Sequence, residues 1–164
     1  MAELYFIRHG LAGEHGSYAN DAERPLTEEG HRKTHRVAKR LHELGLRFDL
    51  MLTSPFLRAY QTAEILQAEK LSRKLETSSF LSPGGSFEEW LGWLESWERS
   101  PEARLALVGH QPDLTNWAEM LIWGEVRGVL VLKKAGAIGI QMPASGSPVG
   151  NSLMFWLTSP GLLR

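Results

Sequence analysis

The sequence predicts an α/β domain: a three-layer sandwich built on a mainly parallel central sheet. Three observations carry that reading. Short apolar runs alternate with amphipathic stretches of helical period along most of the chain, which is the pattern of βα units. The runs at residues 4–7, 50–52 and 105–108 each end abruptly in a polar cluster. Length and composition fit one core, with 164 residues of which 43% are apolar. No internal repeat or linker interrupts the chain, so residues 1–164 are read as a single domain.

The elements follow in order. Leu4-Tyr5-Phe6-Ile7 reads as a buried strand that stops at Arg8-His9-Gly10. A loop rich in Gly, Ser, Asn and Asp fills residues 11–25. Thr27 is then placed to cap a helix, with Glu28 and Glu29 in the first turn where the dipole favours them. Val37, Leu41 and Leu44 mark its apolar face, and Gly45 is its stop. Leu50-Met51-Leu52 is the second strand. Ser54 is expected to cap the next helix with Pro55 at the first helical position. That helix should run to about Glu69 and bury Leu57, Ile65 and Leu66.

A weaker extended segment at residues 74–77 leads to the loop Pro83-Gly84-Gly85. Ser86 is placed to cap a helix with Trp90, Leu94 and Trp97 inward. Residues 105–108 form the third strand, and Pro112 opens a helix carrying Leu114, Trp117 and Leu121. Residues 129–132, 137–142 and 153–157 read as late strands, the last two joined by a turn-rich segment and adding antiparallel edges.

Composition removes several function classes. The 18 basic and 19 acidic residues leave a net charge of -1, without the basic excess of a non-specific nucleic-acid binder. The absence of cysteine excludes disulfides, thiolate catalysis and cysteine-bound metals. No segment approaches the roughly 20 apolar residues of a membrane helix. Met1-Ala2-Glu3 offers no basic leader, so a cytoplasmic location and no membrane partner are expected.

The chemistry lies at three strand ends: Arg8-His9-Gly10, Thr53-Ser54-Pro55 and Gly109-His110-Gln111-Pro112. In a parallel sheet these clusters share the carboxyl edge, where open α/β folds bind ligands. Two of them lead into helices, whose N-termini favour anions. Arg58, one turn into its helix, can turn back to the same crevice. Arginine forks match phosphate oxygens, and a neutral imidazole is a competent nucleophile near pH 7. Phosphoryl transfer needs little more than such positioning and charge, so no metal or other cofactor is called for.

These clusters, with Asp21-Ala-Glu-Arg24-Pro25-Leu26-Thr27-Glu-Glu-Gly30 and Arg58-Ala59-Tyr-Gln61-Thr62-Ala63, resemble in order the signature of the histidine phosphatase superfamily, whose members include phosphoglycerate mutases. The resemblance covers most of the chain and implies a phosphoglycerate mutase-like fold. It implies that His9 takes the phosphoryl group, that Arg8 and Arg58 hold its oxygens, and that His110 donates beside them. Gly10, Arg24 and Asp21 are expected at the substrate. Small size and the Arg-Pro-Leu-Thr segment make the chain similar to the SixA branch, the phosphohistidine phosphatases. The partner so implied is a phosphorylated signalling protein, such as a histidine-containing phosphotransfer domain, or else a small phosphorylated molecule.

One departure bears on substrate. Larger members of the superfamily that act on esters place an acid mid-chain to protonate the leaving alkoxide. Here that stretch reads Leu81-Ser82-Pro83-Gly84-Gly85, with Glu76 and Glu88 nearby but unmatched. General acid help contributes ~10²–10⁴ in rate, whereas a phosphoramidate nitrogen can already carry its proton. The missing acid favours phosphohistidine over an ester, unless Asp21, Glu23 or His110 replaces it.

Plainer readings exist for each residue. A lone strand-end histidine is more often structural than catalytic, and His9 departs from that rule because Arg8, Arg58 and His110 arrive with it. Arg24 and Asp21 fit an ordinary loop salt bridge nearly as well. His31 and His35, at i and i+4 with His42 near the same stripe, lack the His-Glu-x-x-His pattern and read as a solvated basic face. Trp90, Trp93 and Trp97 have the spacing of a core-facing helix rather than a binding platform. A small-ester phosphatase, a mutase and a non-catalytic phosphohistidine-binding module are the rival functions. The module would most simply be marked by loss of the nucleophile, which this chain keeps.

Overall fold

A computed structural model describes residues 1–163. Six strands and four helices alternate: β1 (Glu3–Arg8), α1 (Glu28–Glu43), β2 (Leu50–Thr53), α2 (Leu57–Ala68), β3 (Leu75–Thr77), α3 (Phe87–Ser96), β4 (Arg104–Gly109), α4 (Asp113–Trp123), β5 (Ala137–Gln141) and β6 (Leu153–Thr158). The sheet order is β3-β2-β4-β1-β5-β6. β1 and β2 run parallel to β4, and β3 runs parallel to β2. β5 is antiparallel to β1, and β6 to β5. The strands carrying the three clusters are therefore neighbours, with their carboxyl ends together.

Strand alternation divides the core into two faces. Leu4, Phe6, Leu52, Leu105 and Leu107 pack under α3 and α4 with Trp90, Leu94, Leu114 and Trp117. Tyr5, Ile7, Met51, Ala106 and Val108 pack under α1 and α2 with Val37, Leu41, Ala63 and Leu66. Trp90 stacks on Trp117 at 5.2 Å between ring centroids and joins α3 to α4. Local chemistry sets several ends. Thr27 accepts the Gly30 amide and Ser86 the Glu89 amide, while Gly45 turns left-handed just beyond α1.

The structure corrects five expectations. Residues 129–132 form no strand, because the amides of Gly128 and Val129 go to the buried Glu119 carboxylate at 2.9 Å each. α2 begins at Leu57 with Phe56 at its cap, and Ser54 instead accepts the Phe56 amide from outside the helix. Leu57 and Ile65 are only half-buried, because α2 turns Ala59, Thr62 and Ala63 to the sheet beside Leu66. Leu44 is exposed, since it is the C-cap where α1 leaves the core. Trp97 is also a cap, half-buried and stacked on Trp93 at 5.6 Å, so of those three tryptophans only Trp90 is in the core. Among the described residues, no helix is long and apolar enough to cross a membrane.

Candidate active site

The sheet ladder continues into the site. His9 donates its amide to Gly109 O at 3.1 Å, and Ser54 donates to Val108 O at 2.9 Å. Gly10 then gives its amide to Thr62 Oγ1 on α2 at 3.0 Å. A Cβ at Gly10 would lie 2.3 Å from Thr34 Oγ1, so glycine leaves room for that side chain where the chain passes α1. The His9 ring is buried, with Nδ1 2.7 Å from Gly10 O. A carbonyl only accepts, so Nδ1 carries the proton and Nε2 holds the lone pair. Burial pushes the His9 pKa down to about 4; the Gly10 carbonyl opposes this, and the charges of Arg58, Arg8 and Arg24 add to it. The ring is therefore neutral at pH 7.

His110 lies at the end of β4, its ring 5.2 Å from that of His9 and edge-on to Phe56. Its Nε2 is 2.8 Å from Ser54 Oγ. Burial, then the His9 and Arg58 charges, lower its pKa to about 3.

Two arginines come from the expected strand end and helix turn. Arg58 is the second residue of α2, almost wholly buried, with Nη atoms 3.0 Å from Asp21 O and 3.1 Å from Asp21 Oδ2. Thr62, one turn later, donates to Arg58 O at 2.8 Å and so links it to Gly10. Arg8 donates from Nη1 to Leu132 O at 2.9 Å. Among the described residues, Arg8 Nε, Arg58 Nε and His110 Nδ1 are buried without a hydrogen-bond partner. Such a set of unpaired donors is suited to an anion.

The 11–25 loop closes at its base, where Gly13 donates to Pro25 O and Thr27 to Leu11 O. Gln61 on α2 accepts the Leu26 amide at 2.8 Å. The loop carries Arg24, which donates to Asp21 Oδ1 and Gly13 O at 2.9 Å each. Arg24, and Arg58 with it, hold the Asp21 carboxyl below its ordinary range.

All seven sequence-selected residues thus fall on this edge or the loop beside it. Three partners were missed. Ser54 and Thr62 stand within the motifs already singled out, and Thr62 is one helical turn from Arg58; Glu119 gives no sequence signal beyond a lone acid on an apolar helix. His35 pairs with Glu69 and His42 with Arg47 rather than with each other. Among the described residues, no group of three or more potential ligands is arranged for a metal. Residues 81–86 carry no carboxylate, and Asp113 at the start of α4 accepts the Gly84 amide at 2.8 Å.

The profile of the histidine phosphatase superfamily (branch 1) matches residues 4–102. An uncharacterized protein of Picosynechococcus sp. is 50% identical over 159 residues, 96% of each chain. The structure of the protein histidine phosphatase SixA complexed with tungstate superposes with a TM-score of 0.85 at 26% identity, over 99% of both chains. The mitochondrial serine/threonine-protein phosphatase Pgam5 of Drosophila mojavensis is 33% identical over 85 residues, covering 48% of this chain and 29% of its own. Fold, strand-end motifs and sequence agree, and the chain belongs to the histidine phosphatase superfamily, as a phosphatase with the phosphoglycerate mutase-like fold of SixA.

Proposed function

We propose that this chain removes phosphate from phosphohistidine on a protein, through a phospho-His9 intermediate. The observation that carries the reading is the neutral His9 ring, its Nδ1–H held by Gly10 O, lying 5.2 Å from the His110 ring and within the field of Arg58 and Arg8. The Nε2 lone pair attacks phosphorus in line, and the substrate N–P bond breaks with its electron pair going to nitrogen. A phosphohistidine already protonated on its other nitrogen leaves as neutral imidazole and needs no acid. Water then attacks phospho-His9, the N–P bond breaks, and the water proton leaves with phosphate. Nδ1–H stays on Gly10 O throughout, steadying the imidazolium of the intermediate. Arg8, Arg58 and His110 take the phosphoryl oxygens, with Arg24 and Asp21 on the loop at the substrate mouth. Gly10, expected at the substrate, instead serves the site from beneath, its amide on Thr62 and its carbonyl on His9.

Residues 81–86 support phosphohistidine over an ester because they bring no carboxylate to a leaving alkoxide. The likeness to SixA supports the same choice. The client is read as a signalling protein in the cytoplasm, such as a phosphotransfer domain. A phosphoester reading draws on Asp113, a carboxylate at that turn, and on the likeness to Pgam5.

The test is phosphate release from a histidine-phosphorylated protein, a phosphoserine peptide and a sugar phosphate, with chelator present and His9→Ala as control. Fast release from phosphohistidine alone, abolished by His9→Ala, is expected. Equal or faster release from the esters would transfer the function to a general phosphatase. No release from any of the three would leave a binding module.

A further inference from the structure

Ser54 joins two parts of the site through one oxygen, and its hydrogen bonds determine where the His110 proton sits. Ser54 is wholly buried just beyond β2. Its Oγ accepts the Phe56 amide at 3.1 Å and lies 2.8 Å from His110 Nε2. A serine hydroxyl has one hydrogen to donate, and a backbone amide cannot accept it. Of its two partners, only His110 Nε2 can receive that hydrogen, and a buried hydroxyl left without an acceptor is unfavourable. Nε2 therefore presents its lone pair to Ser54. The one proton of the neutral ring is on Nδ1, which is buried with no partner among the described residues.

We infer that Ser54 is a positioning residue that holds His110 in its Nδ1–H tautomer, so that the second histidine meets the phosphoryl group as a neutral hydrogen-bond donor. The inference rests on the phosphoryl-transfer reading of His9. In the other tautomer, Nδ1 would aim a lone pair at an anion already crowded with negative charge. One hydroxyl thus does two things: it anchors the entry to α2, which carries Arg58, and it sets the polarity of the ring beside His9. The second role goes beyond helix capping, and a test must separate the two.

The first measurement is ¹⁵N NMR of the histidine-labelled protein near pH 7, with no substrate. His110 is expected as Nδ1–H in the wild type, moving to Nε2–H or a mixture in Ser54→Ala. A wild-type His110 protonated at Nε2 overturns the inference whatever the enzyme hydrolyses. The second measurement is hydrolysis of phosphoramidate by Ser54→Ala, His110→Ala and the double variant, each checked by thermal melting. If Ser54 acts through His110, Ser54→Ala lowers kcat tenfold or more with little change in KM, and the double variant is no slower than His110→Ala. Losses that multiply would assign Ser54 to the start of α2 alone and overturn the inference. Failure of the wild type to hydrolyse phosphoramidate and phosphohistidine alike would instead sink the substrate reading, and the tautomer result would still decide the role of Ser54.

Discussion

The Asp21 carboxylate lies 3.1 Å from an Nη of Arg58, which follows it by thirty-seven residues, and its other oxygen is 2.9 Å from Arg24 Nε. Asp21 is 41% exposed and Arg58 only 5%, so an anion at the rim of the loop orients a cation in the interior. The same anion offsets part of the positive charge that would attract phosphate.

Asp21→Asn keeps an oxygen for Arg58 and removes the charge. Inorganic phosphate, as product inhibitor, is expected to bind about fivefold more tightly, on the order of 1 kcal/mol for a charge at an exposed rim. Asp21→Ala also loses the alignment of Arg58 and should raise KM. Inhibition constants for both variants check this, and an unchanged constant in Asp21→Asn would remove the electrostatic role.

His9 is held near pKa 4 by burial and by the neighbouring arginines, against an ordinary 6.5 in the unfolded chain. Between these values the unfolded state binds more protons, so stability rises with pH over that window and is lost as pH falls through it. The His9 contribution is on the order of 3 kcal/mol. Melting temperature should fall steeply from pH 6.5 toward pH 4, and more shallowly in His9→Asn. Parallel curves for the two proteins would count against the shift.

Gly10→Ala places a methyl 2.3 Å from Thr34 Oγ1, a buried hydroxyl with no partner among the described residues. A loss of about 1–3 kcal/mol is expected from overpacking, with a fall in activity as His9 shifts. Thr34→Ala in the same chain removes the obstructing atom and should restore much of both. Urea unfolding of the single and double variants is the measurement.

Glu119 is buried, which by itself would raise its pKa, yet the backbone amides of Val129, Gly128, Arg127 and Leu130 together outweigh that and hold it below its ordinary value. Glu119→Gln turns an amide NH₂ toward those donors and should cost about 1–3 kcal/mol. The damage should reach the site, because Leu132 in the same segment accepts Arg8. Normal kcat/KM in a destabilised Glu119→Gln would show that the segment and Arg8 are uncoupled.

Much of this architecture is legible in the sequence where the cause is local. Thr27 and Ser86 cap helices because their hydroxyls reach amides three residues on, and the central strands stand out as apolar runs cut off by polar residues. The gathering of His9, Arg58 and His110 follows from parallel strands sharing an edge. What stays hidden depends on distant partners. Residues 129–132 have the composition of a strand, but a carboxylate ten residues away in sequence takes the Val129 amide. The bridge from Asp21 to Arg58 and the bond from Ser54 to His110 span thirty-seven and fifty-six residues, and no spacing rule foretells either.

β2, β4 and β1 are interior strands, with β3 on one side and β5 and β6 on the other. Fraying of a sheet begins at its margins, so the bonds of His9 and Ser54, which continue the interior strands, are expected to open late. Amide exchange at those two positions should therefore be far slower than in the exposed tip of the loop at residues 14–20, where Ser17 makes only a local bond to Glu14 O. A protein arranged in this way can acquire new clients by rewriting the rest of its rim while Asp21 keeps its hold on Arg58, because His9 and Ser54 are anchored in the sheet.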